Sequence, residues 1–205
     1  MTDLVSEVKQ RGSVFDQMIT ILKEALVKET YSCPIRHKRL NDEILITRGM
    51  YVLLGGEPGT GKTAVADSTF VLDIFDDWLK SDKSVDLRWI YRSMERPAMM
   101  KQIKWLSYKL LTDYNLNISV NDLLNFKNSK KKVTDEIIGL SETYSDYFGE
   151  LLERCTIIGG PASPYDISDT IKKEMVKYGT VQKVGQYNSV FNYHNPNTHV
   201  FHITD

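Results

Sequence analysis

Short runs of consecutive apolar residues alternate along this chain with stretches of helical spacing, a pattern typical of proteins that mix strands and helices. Between the apolar runs at 50–54 and 87–91, residues 62–79 carry apolar side chains at helical spacing, so a strand, a helix and a strand follow one another. That order predicts a right-handed crossover, and with it an α/β fold with a mostly parallel sheet and flanking helices. The runs that predict buried parallel strands cover 50–54, 87–91, 155–158 and 199–203.

Helical spacing recurs elsewhere in the chain. Residues 1–30 are predicted to form one amphipathic helix, and residues 31–205 a unit that contains all the strands. Pro97 is suited to the first turn of a helix that reaches Leu111. The other predicted elements are a short helix capped by Ser119 and Asp122, a longer one from the cap Thr134 to Leu151, a helix around 167–178, and an irregular excursion or hairpin over 179–197.

The composition is that of a folded globular protein without an overall basic field. Hydrophobic residues make up 41% of the 205 positions and charged residues 26%, which is enough for a core. Lys and Arg number 26 against 27 Asp and Glu, so any contact with nucleic acid would have to be local. Cys33 and Cys155 lack C-x-x-C spacing, which argues against a disulfide framework. With no signal core and no run of 18 apolar residues, the sequence predicts a cytoplasmic protein that does not enter a membrane.

One segment fits the pattern G-x-x-x-x-G-K-[ST] of phosphate-binding loops, and it lies between an apolar run and a helical stretch, as that motif requires. Its glycines let the backbone approach phosphates, so that N–H groups and a helix N-terminus point toward the anion. Lys62 would then reach the β and γ phosphates of ATP, and the Thr63 hydroxyl would be a ligand of Mg²⁺. The predicted nucleotide-binding residues are Gly56, Glu57, Pro58, Gly59, Thr60, Gly61, Lys62 and Thr63.

Hydrolysis of a bound nucleotide also needs a group that orients water and an acid that holds the metal ion. Glu95 follows the second apolar run and Asp205 follows the last. Both are therefore expected at the carboxyl edge of the sheet, where open α/β sheets bind their ligands. From the residues alone, Glu95 is equally well interpreted as a surface carboxylate paired with Arg92 or Arg96. Asp205 is equally well interpreted as a terminal charge.

Together these features resemble the RecA-like ATPase domain of the DnaB family of replicative DNA helicases, particularly divergent forms encoded by tailed phages. The resemblance lies in the phosphate-binding loop, the segment 92–96, the helical segment 99–106 and the strand that ends at Asp205. Residues 93–95, Ser-Met-Glu, are similar to the Ser-Leu-Glu-Met pattern of bacterial members. The resemblance implies that Glu95 and Lys62 are catalytic, with Glu95 polarising the attacking water. It also implies that Asp205 is the Walker B acid and acts on Mg²⁺ through water.

By the same resemblance, the cofactors are ATP and Mg²⁺, and the partners are single-stranded DNA and identical subunits in a hexameric ring. Residues 1–30 would be a linker helix that docks on a neighbouring subunit. The protein would be located in the cytoplasm of a bacterial host. A coiled-coil or core helix is an equally good interpretation of that segment. In the family, further strands, DNA-binding loops and an arginine finger follow the Walker B strand. We therefore expect these 205 residues to form an incomplete sheet, with little DNA-stimulated hydrolysis and no unwinding.

Two other functions are open at this level. The chain would suit a stand-alone P-loop kinase of nucleotides or small molecules in size, although it lacks an Arg-rich lid segment. It would also suit a non-catalytic, nucleotide-gated module that joins or regulates a helicase ring. Replacement of Glu95 by Gln separates the three, because only the helicase interpretation predicts that hydrolysis is lost while nucleotide binding is kept.

Overall fold

A computed structural model describes residues 19, 22, 23, 33, 41, 46, 47, 49–184 and 188–205. The helix predicted over 1–30 lies outside these residues except at three positions. No helix in the described ranges is both long enough and apolar enough to cross a membrane. The described strands are β1 (Asp86–Ser93), β2 (Cys155–Gly159), β3 (Gly179–Val184), β4 (Asn188–Tyr193) and β5 (Thr198–Thr204).

Three of the four predicted strands form a parallel sheet in the order β2-β1-β5, and this confirms the predicted α/β class. In the centre of the sheet, Trp89 on β1 lies opposite Cys155 on one side and Phe201 on the other. The neighbouring residues Ile90 and Tyr91 point to opposite faces, yet both are at most 1% exposed. Both faces of β1 are therefore covered, which explains why its sequence is a nearly continuous apolar run.

The helices predicted between residues 62 and 178 are present, with two differences. Residues 62–80 are helical throughout but contain a π-helical turn over Ser68–Leu72, which the sequence pattern did not predict. The single helix expected from Thr134 to Leu151 is wrong, because the chain turns at Thr143 and Tyr144 and forms two helices. The helices are α1 (Lys62–Asp67), α2 (Asp73–Lys80), α3 (Ala98–Tyr114), α4 (Val120–Leu123), α5 (Asp135–Glu142), α6 (Ser145–Arg154) and α7 (Pro164–Met175).

The main core lies between the sheet and the helical segment 62–80. Trp89 stacks on Phe201 with ring centroids 5.7 Å apart, and Phe75 of α2 meets Trp89 edge-on at 6.2 Å. The Trp89 indole donates to the carbonyl of Phe70 in the π-helical turn at 2.7 Å, so its polar atom is satisfied inside the core. These contacts fix the helix that follows the candidate phosphate-binding loop against the two strands β1 and β5.

The strand predicted over 50–54 is wrong. These residues form no ladder with any described residue, and Tyr51 and Leu53 are 86% and 80% exposed. An apolar run predicts burial, but a strand also needs a hydrogen-bonding neighbour. Within the described residues, β5 pairs only with β1, and no strand pairs with its other edge. The remaining strands β3 and β4 form a separate antiparallel hairpin, which agrees with one of the two possibilities predicted for 179–197.

Acid is expected to weaken the region around α4 through one carboxylate. Asp122 accepts backbone hydrogen bonds from Lys131 at 3.0 Å and from Ser119 at 3.1 Å, and the Ser119 hydroxyl adds a third at 2.7 Å. These bonds, that of Lys131 first, lower the pKa of Asp122 to about 2. The stabilisation is therefore full above the unfolded-state pKa of about 3.9 and is lost as the pH falls toward 2. Urea unfolding at pH 4.5 and pH 3 should show a larger drop for the wild type than for Asp122→Asn, and equal drops would contradict this.

Candidate nucleotide site

The candidate phosphate-binding loop forms a tight curve directly before α1. Gly59 and Gly61 have φ of +79° and +88°, values that glycine adopts without strain. A Cβ atom on Gly56 would lie 2.8 Å from the Thr60 hydroxyl oxygen, so the loop closes on itself too tightly for a side chain there. The first N–H groups of a helix have no acceptor within it. The loop and the start of α1 can therefore direct several N–H groups at an anion.

The side chain of Lys62 crosses this loop. Its ammonium group donates to the carbonyl oxygens of Gly56 at 2.9 Å and of Glu57 at 2.8 Å. The hydroxyl of Thr60 donates to the same Glu57 carbonyl at 2.8 Å. Because charged phosphate oxygens are stronger acceptors than backbone carbonyls, the ammonium group is placed where a phosphate bound by the loop would attract it.

Thr63 and Asp205 are in direct contact although they are 142 positions apart in the chain. The Thr63 hydroxyl, in the first turn of α1, donates to Oδ1 of Asp205, which follows β5. The structure thus places the two predicted metal-binding residues side by side, at the point where the loop helix meets the carboxyl edge of the sheet.

The backbone fixes Asp205 at this edge. Its N–H donates to the carbonyl of Arg92 at 3.0 Å, and its own carbonyl accepts from the N–H of Met94 at 3.0 Å. On the other side of β1, the N–H of Gly160 donates to the carbonyl of Ser93 at 3.0 Å. The ladder therefore continues past the ends of all three strands, so the position of Asp205 does not depend on its side chain alone.

Glu95 lies at the same edge, one residue after the last ladder bond of β1. Its side chain is exposed and forms no hydrogen bond or ion pair with any described residue. Arg92 donates instead to the carbonyl of Gly160 at 3.3 Å, so a pairing of Glu95 with Arg92 is not formed. The structure does not bring Glu95 into contact with Lys62 or Thr63, and its side chain is exposed to solvent.

Behind Asp205 lies a buried lysine that the sequence analysis missed. Lys101 of α3 is completely buried, and its ammonium group lies 2.7 Å from Oδ2 of Asp205. The same group donates to the Tyr91 hydroxyl at 2.8 Å and lies 3.4 Å from Oδ1 of Asp67 on α1. Lys104, one helical turn further along, is 3.2 Å from Oδ2 of Asp67. Two carboxylates and two ammonium groups thus meet directly behind the Thr63 hydroxyl.

This cluster controls the charge of its members. Burial by itself would raise the pKa of Asp205, but the hydrogen bonds from Lys101 and Thr63 outweigh it and hold the pKa below its usual value. Asp205 is therefore a carboxylate at neutral pH. Burial, together with the charge of Asp67, raises the pKa of the Tyr91 hydroxyl well above its usual value, so Tyr91 stays protonated and donates to Asp67 at 2.6 Å.

A signal for Lys101 is present in the sequence. It lies four residues before Trp105 on α3, so the two share a helix face, and Trp105 is fully buried. A lysine on an apolar helix face must find acidic partners or remain at the rim. The sequence does not show which carboxylates those partners are, because Asp67 and Asp205 come from elements 34 and 104 positions away.

The residues beside Thr63 fit a magnesium ion that arrives with a nucleotide. Mg²⁺ prefers oxygen ligands and is usually held by one or two protein groups, substrate phosphates and water. The Thr63 hydroxyl is one such oxygen ligand, and the ionised carboxylate of Asp205 would accept hydrogen bonds from water bound to the ion; both groups are adjacent to the loop that would hold the phosphates.

Comparison of the chain with protein-family models, with curated protein sequences and with solved structures finds no match.

Proposed function

We propose that this chain is the ATP-binding and ATP-hydrolysing part of a replicative DNA helicase, with a RecA-like P-loop fold. The observation that carries the proposal is the contact between the Thr63 hydroxyl and Asp205. It joins the end of a phosphate-binding motif to an acid at the carboxyl edge of a parallel sheet, which is the pairing that a nucleotide-bound metal ion needs.

Each residue has a separate task in this proposal. The N–H groups of the loop and the ammonium group of Lys62 bind and orient the phosphates. Thr63 as a direct ligand and Asp205 through water would hold Mg²⁺, which when bound neutralises charge on the phosphates. Glu95 orients a water molecule for attack on the γ phosphate and accepts its proton. Its exposed position at the same edge supports this role, because the carboxylate has no competing partner among the described residues.

The helicase part of the proposal is supported by the resemblance of residues 92–106 and of the strand before Asp205 to the DnaB family. In such an enzyme, ATP hydrolysis drives translocation on single-stranded DNA within a ring of identical subunits. The near-neutral composition, with 26 basic against 27 acidic residues, means that DNA would contact only local parts of each subunit.

Nucleotide binding tests the first step of this proposal. The wild type should bind a fluorescent ATP analogue in the presence of Mg²⁺. Replacement of Lys62 by Ala should weaken that binding by about tenfold to a hundredfold, because a charge-assisted hydrogen bond contributes about 1.5–3 kcal/mol. Replacement of the exposed Lys80 at the end of α2 by Ala is the matched control and should leave affinity unchanged.

The product of the reaction separates the helicase from its rivals. With radiolabelled ATP and excess protein, release of inorganic phosphate supports the ATPase, whereas transfer of label to an added nucleotide or small molecule supports a kinase. Binding without either reaction supports a nucleotide-gated module. A wild type that binds no ATP at all would overturn the proposal together with both alternatives.

A further inference from the structure

Lys101 is the most deeply buried charge in the described part of the site, and its three contacts join three elements. Its ammonium group contacts Asp205 after β5, Tyr91 on β1 and Asp67 on α1. Tyr91 supplies a further contact, since the ammonium group also lies 4.6 Å from the centre of its ring. A buried ammonium group with this many partners has one defined position.

Asp67 makes the link to the loop specific. It lies four residues after Thr63, on the same face of the helix that begins at the phosphate-binding loop. Lys101 therefore contacts two carboxylates that neighbour Thr63. Asp67 lies one helical turn after Thr63 on α1, and Asp205 accepts the hydrogen bond of the Thr63 hydroxyl. Any shift of Asp205 relative to α1 would have to break one of these bonds.

The charges of the cluster balance without a metal ion. Asp67 and Asp205 supply two negative charges, and Lys101 and Lys104 supply two positive ones. One oxygen of Asp205 is occupied by Lys101, and the other accepts from Thr63. A divalent cation without phosphates would therefore meet a carboxylate that is already neutralised from behind, and it would be repelled by the ammonium group.

We propose that Lys101 is a positioning residue that holds Asp205 toward Thr63 and makes the metal site selective for a cation delivered with nucleotide phosphates over the free cation. This inference rests on the proposed function, since it concerns the metal ion of the same site. Because Lys101 neutralises the charge of Asp205, the negative charge that attracts the metal ion comes from the phosphates. Metal ion and nucleotide therefore bind together, and neither fills the site productively alone.

Binding of Mn²⁺ in the absence of nucleotide, measured by the loss of the electron paramagnetic resonance signal of the free ion, tests this directly. Mn²⁺ accepts the same oxygen ligands as Mg²⁺. The wild type should bind Mn²⁺ weakly, and Lys101→Met should bind it about tenfold more tightly or better, because an adjacent positive charge is removed. Lys101→Arg keeps the charge and should behave like the wild type.

Two further variants test whether the effect comes from the contact of Lys101 with Asp205 or from positive charge anywhere in the cluster. Lys104 contacts Asp67 through the same kind of ion pair, so Lys104→Met removes one positive charge nearby without freeing Asp205. Its Mn²⁺ affinity should stay within about threefold of the wild type if the contact with Asp205 is what matters. If Lys101→Met does not fold, the double variant Lys101→Met/Asp67→Asn removes the buried carboxylate that would be left poorly paired, and the same tighter binding is expected.

A comparison of the wild type with Asp205→Asn gives a second test. Asp205→Asn should weaken the joint binding of Mn²⁺ and ATP, because the side chain that acts on the metal ion loses its negative charge. If the wild type binds Mn²⁺ tightly without nucleotide and Asp205→Asn abolishes that binding, the inference is overturned. Equal Mn²⁺ affinity of the wild type and a folded Lys101→Met would overturn it as well, while ATP binding by the wild type would leave the proposed function standing.

Discussion

Replacement of Glu95 by Gln is expected to abolish ATP hydrolysis while nucleotide affinity stays within about twofold of the wild type. Gln keeps the size and the hydrogen-bonding reach of Glu but cannot accept a proton, so it can still contact a water molecule without activating it. General base catalysis contributes about 10²–10⁴-fold to the rate, and a loss of that size is expected. A single-turnover assay with labelled ATP and excess protein measures slow hydrolysis directly, and binding of a fluorescent ATP analogue measures affinity.

Because Glu95 is exposed, its replacement by Gln should change catalysis without changing the fold. Its side chain has no bonds with described residues to lose, so the stability of the variant should be unchanged. Glu142→Gln, at another exposed position, is the matched control and should hydrolyse ATP at the wild-type rate. Hydrolysis by Glu95→Gln at the wild-type rate would remove Glu95 from the mechanism, and weakened binding would mean that it acts on the nucleotide itself.

The sheet could be predicted from the sequence wherever an apolar run also had a partner. The runs around Trp89, Cys155 and Phe201 became β1, β2 and β5, and the helical segments between them followed from their spacing. The run at 50–54 has the same composition, but it lies exposed and unpaired with any described residue. Composition reports the tendency of a segment to be buried, whereas pairing depends on which other segment lies beside it.

Local helix signals were reliable at capped ends and unreliable inside helices. Ser119 and Asp122 form the predicted capping box: the Ser119 hydroxyl accepts from the N–H of Asp122, and the Asp122 carboxylate accepts from the N–H of Ser119. This signal is local, because the two residues lie close together in the sequence. The break between α5 and α6 at Thr143 and Tyr144 was not predicted. Tyr144 is buried and its hydroxyl donates to Asp113 on α3 at 2.7 Å, so a contact with a distant helix accompanies the turn.

The candidate site also contains residues that could be placed from the sequence and residues that could not. The loop and Thr63 are contiguous and form a motif, and Asp205 could be placed at the same edge because parallel strands end together. The positions of Lys101 and Asp67 behind them could not be derived, because these side chains meet only through the packing of α3 on α1 and β1. The sequence therefore predicts that Thr63 and Asp205 lie close together, but it does not predict which side chains support them.

Replacement of Trp89 by Ala is expected to be the most destabilising single change in the described core. Its ring is fully buried between Phe201 and Phe75, and its indole donates to the carbonyl of Phe70. Truncation of a buried Trp leaves a cavity and costs about 3–5 kcal/mol in the free energy of unfolding. The lost indole hydrogen bond to the Phe70 carbonyl adds to this cost. Urea unfolding followed by circular dichroism measures the loss.

Two matched variants resolve this cost into its parts. Trp89→Phe keeps an aromatic ring and removes the indole hydrogen bond, so about 1–3 kcal/mol is expected. Tyr165→Ala removes an aromatic ring that is 78% exposed and should change stability by less than about 0.5 kcal/mol. Because Trp89 is in register with β2 and β5 at once, its loss should weaken the whole sheet rather than one edge. A cost below about 1 kcal/mol for Trp89→Ala would mean that the three strands and the loop helix are not held together by this core, and the fixed position of Asp205 would then need another source.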